Sequence, residues 1–271
     1  MRSNRALGSA LALLGLVCVV GVPVRAAGLD PPPEGADARE IAGRAVAALR
    51  GEATVIEATM IVRRKGGSRS RELRFRSFDD RPANRAFIRI LDARDAAAGM
   101  AFLKLRPNLW KYEPEDERVL RIAPSEALEP FMGGDFTNDD LIHINSEIDD
   151  YEHRLLGVDP RPDGIANLPA YAVEYTPHEA SAAVWGRIVA LIEVEHGTPL
   201  RCDFYDADGK LARVMRFGDI REVRGRRFPH VWTAQPQDSK GNETRIEVHE
   251  VRFDARFDDA TFAIRQLKAG E

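Results

Sequence analysis

The chain has 271 residues, with 39 Lys and Arg against 43 Asp and Glu and a formal charge of −4. A mildly acidic chain of mixed signs carries no electrostatic footprint for nucleic acid, which excludes a nucleic-acid-binding role. Two cysteines, Cys18 and Cys202, exclude a disulfide framework of the kind that holds small secreted domains together.

The first residues read as an export signal. Met1 to Arg5 carries two arginines and no acid, Ala6 to Val22 is an uncharged apolar run, and Val24-Arg25-Ala26 puts small residues at −3 and −1 of a cleavage site. A membrane anchor is the rival reading, but Gly8, Gly15, Gly21 and Pro23 favour cleavage. Cys18 follows Val17 rather than a small residue, which argues against a lipid-modified cysteine. Cleavage of residues 1–26 removes three arginines and no acid. It leaves 245 residues, moves the formal charge from −4 to −7 and retains Cys202 alone. The mature protein is then periplasmic, and its stability has to come from its core.

Residues 27–36, with Pro31-Pro32-Pro33, form a Pro/Gly-rich spacer before a single domain expected over 37–271. Asp37 with Glu40 three residues later marks a helix start. Ala38, Ile41, Ala42, Ala45, Val46 and Leu49 repeat at three-and-four spacing, and Gly51 ends the run. This helix is expected to plug a sheet.

Beyond Gly51 the apolar period becomes two. Strands are expected around 58–63, 73–78, 87–91 and 100–105, with a hairpin turn at Arg64 to Ser68. Trp110 and Tyr112 fall on one face of a further strand, with Lys111 on the other; they either line a cavity or sit at its rim. The stretch Phe131 to Leu141 (FMGGDFTNDDL) then interrupts the β pattern with two glycines and a helix start, which Asp135 or Thr137 would cap. Further strands are expected at 171–175, 188–194, 200–205, 211–217, 227–235 and 244–251. Tyr205 to Lys210 reads as a turn. As a calcium loop it would place Phe204 and Met215 at the first and twelfth ligand positions, where neither side chain supplies oxygen.

The motifs of catalysis are missing. The six histidines show no metal-ligand spacing, and there is no GxSxG elbow, phosphate loop or dinucleotide turn. Cys202 falls in an alternating strand and reads as a structural thiol, while paired acids such as Asp139-Asp140 read as caps and solvated corners. No metal and no cofactor is expected, and the chain is read as a non-enzyme.

The succession Leu109 to Pro114, Arg121-Ile122 and Phe131 to Leu141 resembles the outer-membrane lipoprotein-sorting (LolA-like) family of the bacterial periplasm, in an uncharacterised branch. Pro199-Leu200, Phe204 to Leu211 and Phe228-Pro229 fit the same branch, and the likeness runs from about Ala38 onward. The resemblance implies a mainly β fold, an antiparallel incomplete (half) β-barrel with an N-terminal helix and a helical lid over its concave face. It implies a lipid or lipoprotein acyl chain in an apolar cavity, with an inner-membrane transporter and an outer-membrane acceptor as partners of a monomeric carrier. On that pattern Trp110, Tyr112, Leu128, Phe131, Met132 and Phe136 are the candidate cavity or lid residues, and Gly133 and Gly134 the candidate hinge. The same aromatics are equally suited to filling a core. The alternative is a protein-docking accessory, or a sensor for a transporter or signalling partner, without its own cargo; the sensor would favour a further domain after Leu267, and none is expected.

Overall fold

The computed structural model describes residues 28–67, 70–143, 148–162, 168–179, 181 and 183–269. The export signal and the tip of the first hairpin, Ser68 and Arg69, lie outside the described residues. Among the described residues no helix is long and apolar enough to cross a membrane.

Helix α1 (Ala38–Arg50) begins where expected. Asp37 caps it by accepting from the backbone N–H groups of Arg39 (2.7 Å) and Glu40 (3.1 Å), and Gly51 closes it at φ +56°. Six strands follow: β1 (Ala53–Arg63), β2 (Arg71–Asp80), β3 (Arg85–Ala93), β4 (Ala101–Leu105), β5 (Asn108–Glu113) and β6 (Arg118–Arg121). A connection holding two short 3₁₀ turns and helix α2 (Asn138–Ile142) leads to seven more. These are β7 (Tyr151–Asp159), β8 (Ala170–Pro177), β9 (Arg187–Glu193), β10 (Pro199–Tyr205), β11 (Leu211–Val223), β12 (Arg226–Pro236) and β13 (Glu243–Phe253).

All thirteen form one antiparallel sheet in the order β6-β5-β4-β3-β2-β1-β13-β12-β11-β10-β9-β8-β7. Each strand pairs with its sequence neighbour, as short turns demand, and the two halves meet where β1 pairs with β13. The sheet does not close, so the fold is the incomplete barrel of the expectation. The order has a consequence for the connection 122–150. It leaves from the edge strand β6 and arrives at the opposite edge strand β7, so it has to cross between the two edges.

The turn at Tyr205 to Lys210 is confirmed. Asp206 accepts through Oδ1 from the N–H groups of Asp208 and Lys210, and Gly209 takes φ +77°. Helix α1 packs on β7 to β10 and β12, burying Ile41, Ala42 and Ala45 against Tyr151, Val173, Tyr175, Ala190 and Ile192. Strand β4 is buried on both faces, because the C-terminal turns Asp259–Phe262 and Ile264–Leu267 cover its outer side. The N-terminal spacer does not hang free: Asp30 exchanges two backbone hydrogen bonds with Val158 on the edge strand β7, at 2.7 and 2.9 Å.

Candidate functional site: an apolar cavity under the crossing connection

Between α1, the sheet and the crossing connection lies a cavity of about 290 Å³. This is close to the ~300 Å³ at the lower end of small-molecule sites. Its wall takes Ile56 and Met60 from β1, Phe75 from β2, Ile188 and Ile192 from β9, Phe217 and Trp232 from the second half, and Val46 and Leu49 from α1. Thr54 and Met60 both line it, and six residues of strand separate them by up to about 20 Å. The lining therefore extends along β1 rather than standing at one level of it.

The crossing connection supplies the remaining wall. Phe131 and Phe136 are 8% and 9% exposed and line the cavity, with the Phe131 ring set edge-on to Phe102 at 4.8 Å. Phe131 N–H donates to the Phe136 carbonyl at 2.7 Å, which folds the two rings' backbone into one tight loop. Met132 packs beside the same core cluster. Leu128 is 61% exposed on the outside of the connection. Trp110 and Tyr112 pair across the ladder with Leu103 and Ala101 and pack with Phe87, Phe262 and Leu267. They belong to the outer-face cluster, on the side of β4 and β5 away from Phe102 and Phe131. Of the six aromatic and aliphatic candidates, the structure brings Phe131 and Phe136 to the cavity.

Met132 and Gly133 both take positive φ, at 52° and 71°. The left-handed conformation at 133 is the reason a glycine suits that position. Gly134 is short of room: a Cβ there would stand 2.5 Å from Met60 Cε and 3.2 Å from the Phe131 carbonyl. Around the pair, three arginines hold the connection to the sheet. Arg71 donates to the Met132 carbonyl, and Arg64 donates to the Gly133 carbonyl and to both oxygens of Asp135 at 2.8 and 3.0 Å. Asp135 Oδ2 also accepts from Thr244 Oγ1 at 2.7 Å. Arg213 donates to both carboxylate oxygens of Asp140 at 2.6 and 2.7 Å, and its guanidinium lies over the Phe204 and Trp185 rings at 4.2 and 4.8 Å.

Thr137 caps α2 and forms the capping box with Asp140: Asp140 N–H donates to Thr137 Oγ1, and Thr137 N–H donates to Asp140 Oδ2. Burial pushes the Asp140 carboxyl up, but the Arg213 charge and the hydrogen bonds from Arg213 and Thr137 outweigh it and hold the group below the usual carboxylate range. One turn on, His143 stands between two carboxylates, Asp139 at 3.3 Å from Nε2 and Asp150 at 2.8 Å from Nδ1. Burial lowers the imidazole's proton affinity, yet the two carboxylates prevail and raise it above the ordinary histidine value. With both ring nitrogens so held, His143 presents no free nitrogen to a substrate.

The charged groups at the cavity wall are thus matched with one another: Arg50 with Asp79 at 3.7 Å, Asp140 with Arg213, Asp139 with His143. What is left to meet a guest is predominantly aliphatic and aromatic. Sequence reasoning passed over most of these wall residues, including Ile188, Phe217 and Trp185. Alternation marks Ile188 and Phe217 as one-sided strand residues and cannot distinguish a lined cavity from a filled core, and Trp185 lies in the loop before β9.

The model of a family described as "Uncharacterized protein" matches residues 83–269, well over half the chain. The chain belongs to that family. No curated protein matches the sequence. Among solved structures, it is similar to a candidate outer membrane lipoprotein-sorting protein domain from Vibrio parahaemolyticus. The TM-score is 0.74 at 23% identity, over 86% of this chain and 98% of that one. A DUF1329 family protein from Desulfovibrio piger aligns at TM-score 0.73 and 22% identity, over 85% and 97%. A LolA superfamily protein from Nitrosomonas europaea aligns at 0.69 and 16%, over 85% and 99%. At these identities the likeness shows the fold: the family member described here has the LolA-like half-barrel.

Proposed function

We propose that the protein is a periplasmic carrier or transport accessory that binds lipid or lipoprotein acyl chains in this cavity. The apolar void carries the reading, with Phe131 and Phe136 on its wall and no unmatched charge among the wall pairs described above. Its chemistry is desolvation. Each methylene taken from water contributes about 0.8 kcal/mol, so a chain gains affinity in proportion to the length it can lay along the strands. The signal peptide over residues 1–26 would bring the chain to the periplasm, where an inner-membrane transporter and an outer-membrane acceptor are the partners such a monomeric carrier needs. The sorting and LolA names borne by the structural relatives support the same reading.

The test is equilibrium binding of the neutral fluorophore N-phenyl-1-naphthylamine to the mature chain, with palmitoyl lysolipid as competitor. Saturable binding that the lysolipid displaces, and that Phe131→Asp with Phe136→Asp abolishes, is expected. Absence of binding in the wild type would favour the protein-docking accessory.

A further inference from the structure

Buried hydroxyls are nearly always hydrogen-bonded, and one on the cavity wall is not. Thr54 on β1 lines the cavity and is 1% exposed, yet its Oγ1 has no hydrogen-bond partner among the described residues. The ladder gives it polar neighbours. Thr54 pairs with Asp79 of β2, and Ile56 with Ser77, so alternation sets Thr54, Ser77 and Asp79 on one face. Ser77 and Asp79 line the cavity too, and Asp79 is matched by Arg50 of α1 at 3.7 Å. Resting on the carrier reading above, we propose that Thr54 and Ser77 form a subsite for the carbonyl oxygen of an acyl ester or amide. The cavity thereby selects acyl chains over alkyl chains that lack the carbonyl.

Geometry and energetics agree. Thr54 and Ser77 are diagonal neighbours across the ladder, about 7 Å apart, and one oxygen about 2.8 Å from each hydroxyl spans that gap. A carbonyl oxygen has two lone pairs, one for each O–H. Staggered wells lie about 120° apart, so one turn of Thr54 χ1 exchanges the positions of methyl and hydroxyl. Since Thr54 Oγ1 holds no hydrogen bond, that turn breaks none. A guest carbonyl entering this predominantly apolar void gives up its water and needs a donor in exchange. Without donors the cavity would favour an ether over the matching ester. Trp185 Nε1 is another unpaired donor on the wall. Its ring is set against Phe204 at 5.1 Å and the Arg213 guanidinium at 4.8 Å. Thr54 is the better receiver, because a second hydroxyl stands beside it to take the other lone pair.

The experiment measures displacement of N-phenyl-1-naphthylamine from the protein by uncharged competitors of equal chain length: 1-lauroylglycerol, N-lauroylglycinamide and the ether 1-O-dodecylglycerol. At least one acyl competitor should bind at least about fivefold tighter than the ether. The tighter of the two acyl competitors tells whether the carbonyl comes from an ester or an amide. Thr54→Val with Ser77→Ala should remove the preference, whereas Thr54→Ser and Trp185→Phe should retain it. The urea midpoint of Thr54→Val should be no lower than that of the wild type, since an unpaired hydroxyl holds nothing in the fold. Equal or tighter binding of the ether, a preference that survives the double variant, or one lost in Trp185→Phe would overturn the subsite while leaving the carrier reading intact. A lowered midpoint for Thr54→Val would do the same. Displacement of the dye by none of the competitors would overturn the carrier reading, and the subsite with it.

Discussion

Arg213 grips Asp140 through two parallel hydrogen bonds, 2.6 and 2.7 Å long, and thereby ties the connection crossing the mouth to β11 in the second half of the sheet. The Arg213 side chain is 4% exposed and that of Asp140 18%. Removing one partner of such a pair leaves a buried charge without its counter-ion. Arg213→Met should therefore lower unfolding stability by about 3–5 kcal/mol, and Arg213→Met with Asp140→Leu should recover much of the loss. Urea titration of the single and double variants measures both.

The same pair sets a pH dependence of stability. Asp140 is held below the usual carboxylate range, so its contribution is present above the unfolded value of about 3.9 and lost as pH falls through the lower folded value. Wild type should exceed Asp140→Asn in stability at pH 6, and the gap should close in the acid limb. Thermal unfolding of the two proteins from pH 6 to pH 2.5 reads it directly.

At the far edge, Gly157 makes room for the N-terminal strap. A Cβ at 157 would stand 2.5 Å from the Asp30 carbonyl oxygen and 3.0 Å from Leu29 Cβ, and backbone cannot step aside as a side-chain tip can. Gly157→Val should detach the strap from β7. Amide hydrogen exchange at Asp30 and Val158 should accelerate by at least about tenfold, with core amides of β1 and β13 unchanged.

Cys202 lies on the cavity wall and takes part in no disulfide. An alkyl methanethiosulfonate, which partitions into the void, should label it faster than a charged sulfonate analogue. Saturating palmitoyl lysolipid should slow the alkyl reaction. Mass spectrometry of the modified chain against time gives both rates, and equal rates for the two reagents would place the thiol outside the ligand's path.

Much of this architecture is legible in the sequence, where one physical signal dominates. Helix α1 is bounded by Asp37 and Gly51 because a side-chain acceptor and a positive φ are local requirements. The strands facing α1 and the cavity show their period of two. Strand β7 escapes that pattern. Its register shifts between Leu155 and Gly157, and Leu155-Leu156-Gly157 breaks the alternation that would announce it. β6, with four residues, is too short to show a period. Alternation also places Trp110 and Tyr112 on a common face without saying which. The answer lies in Phe262 and Leu267, some 150 residues on, which cover the outer side of the same strands. Phe131 and Phe136 were recognisable because they flank a glycine pair in the connection itself. The cavity was not, since empty and filled cores use the same residue types.

The central claim is a bound apolar chain, and native mass spectrometry of the protein tests it most directly, after isolation from cells without detergent and with an organic extract run alongside. The account predicts a co-purifying lipid or acylated peptide that is absent from the protein carrying Phe131→Asp and Phe136→Asp. A bare polypeptide mass that takes up neither added phospholipid nor lipopeptide would contradict it.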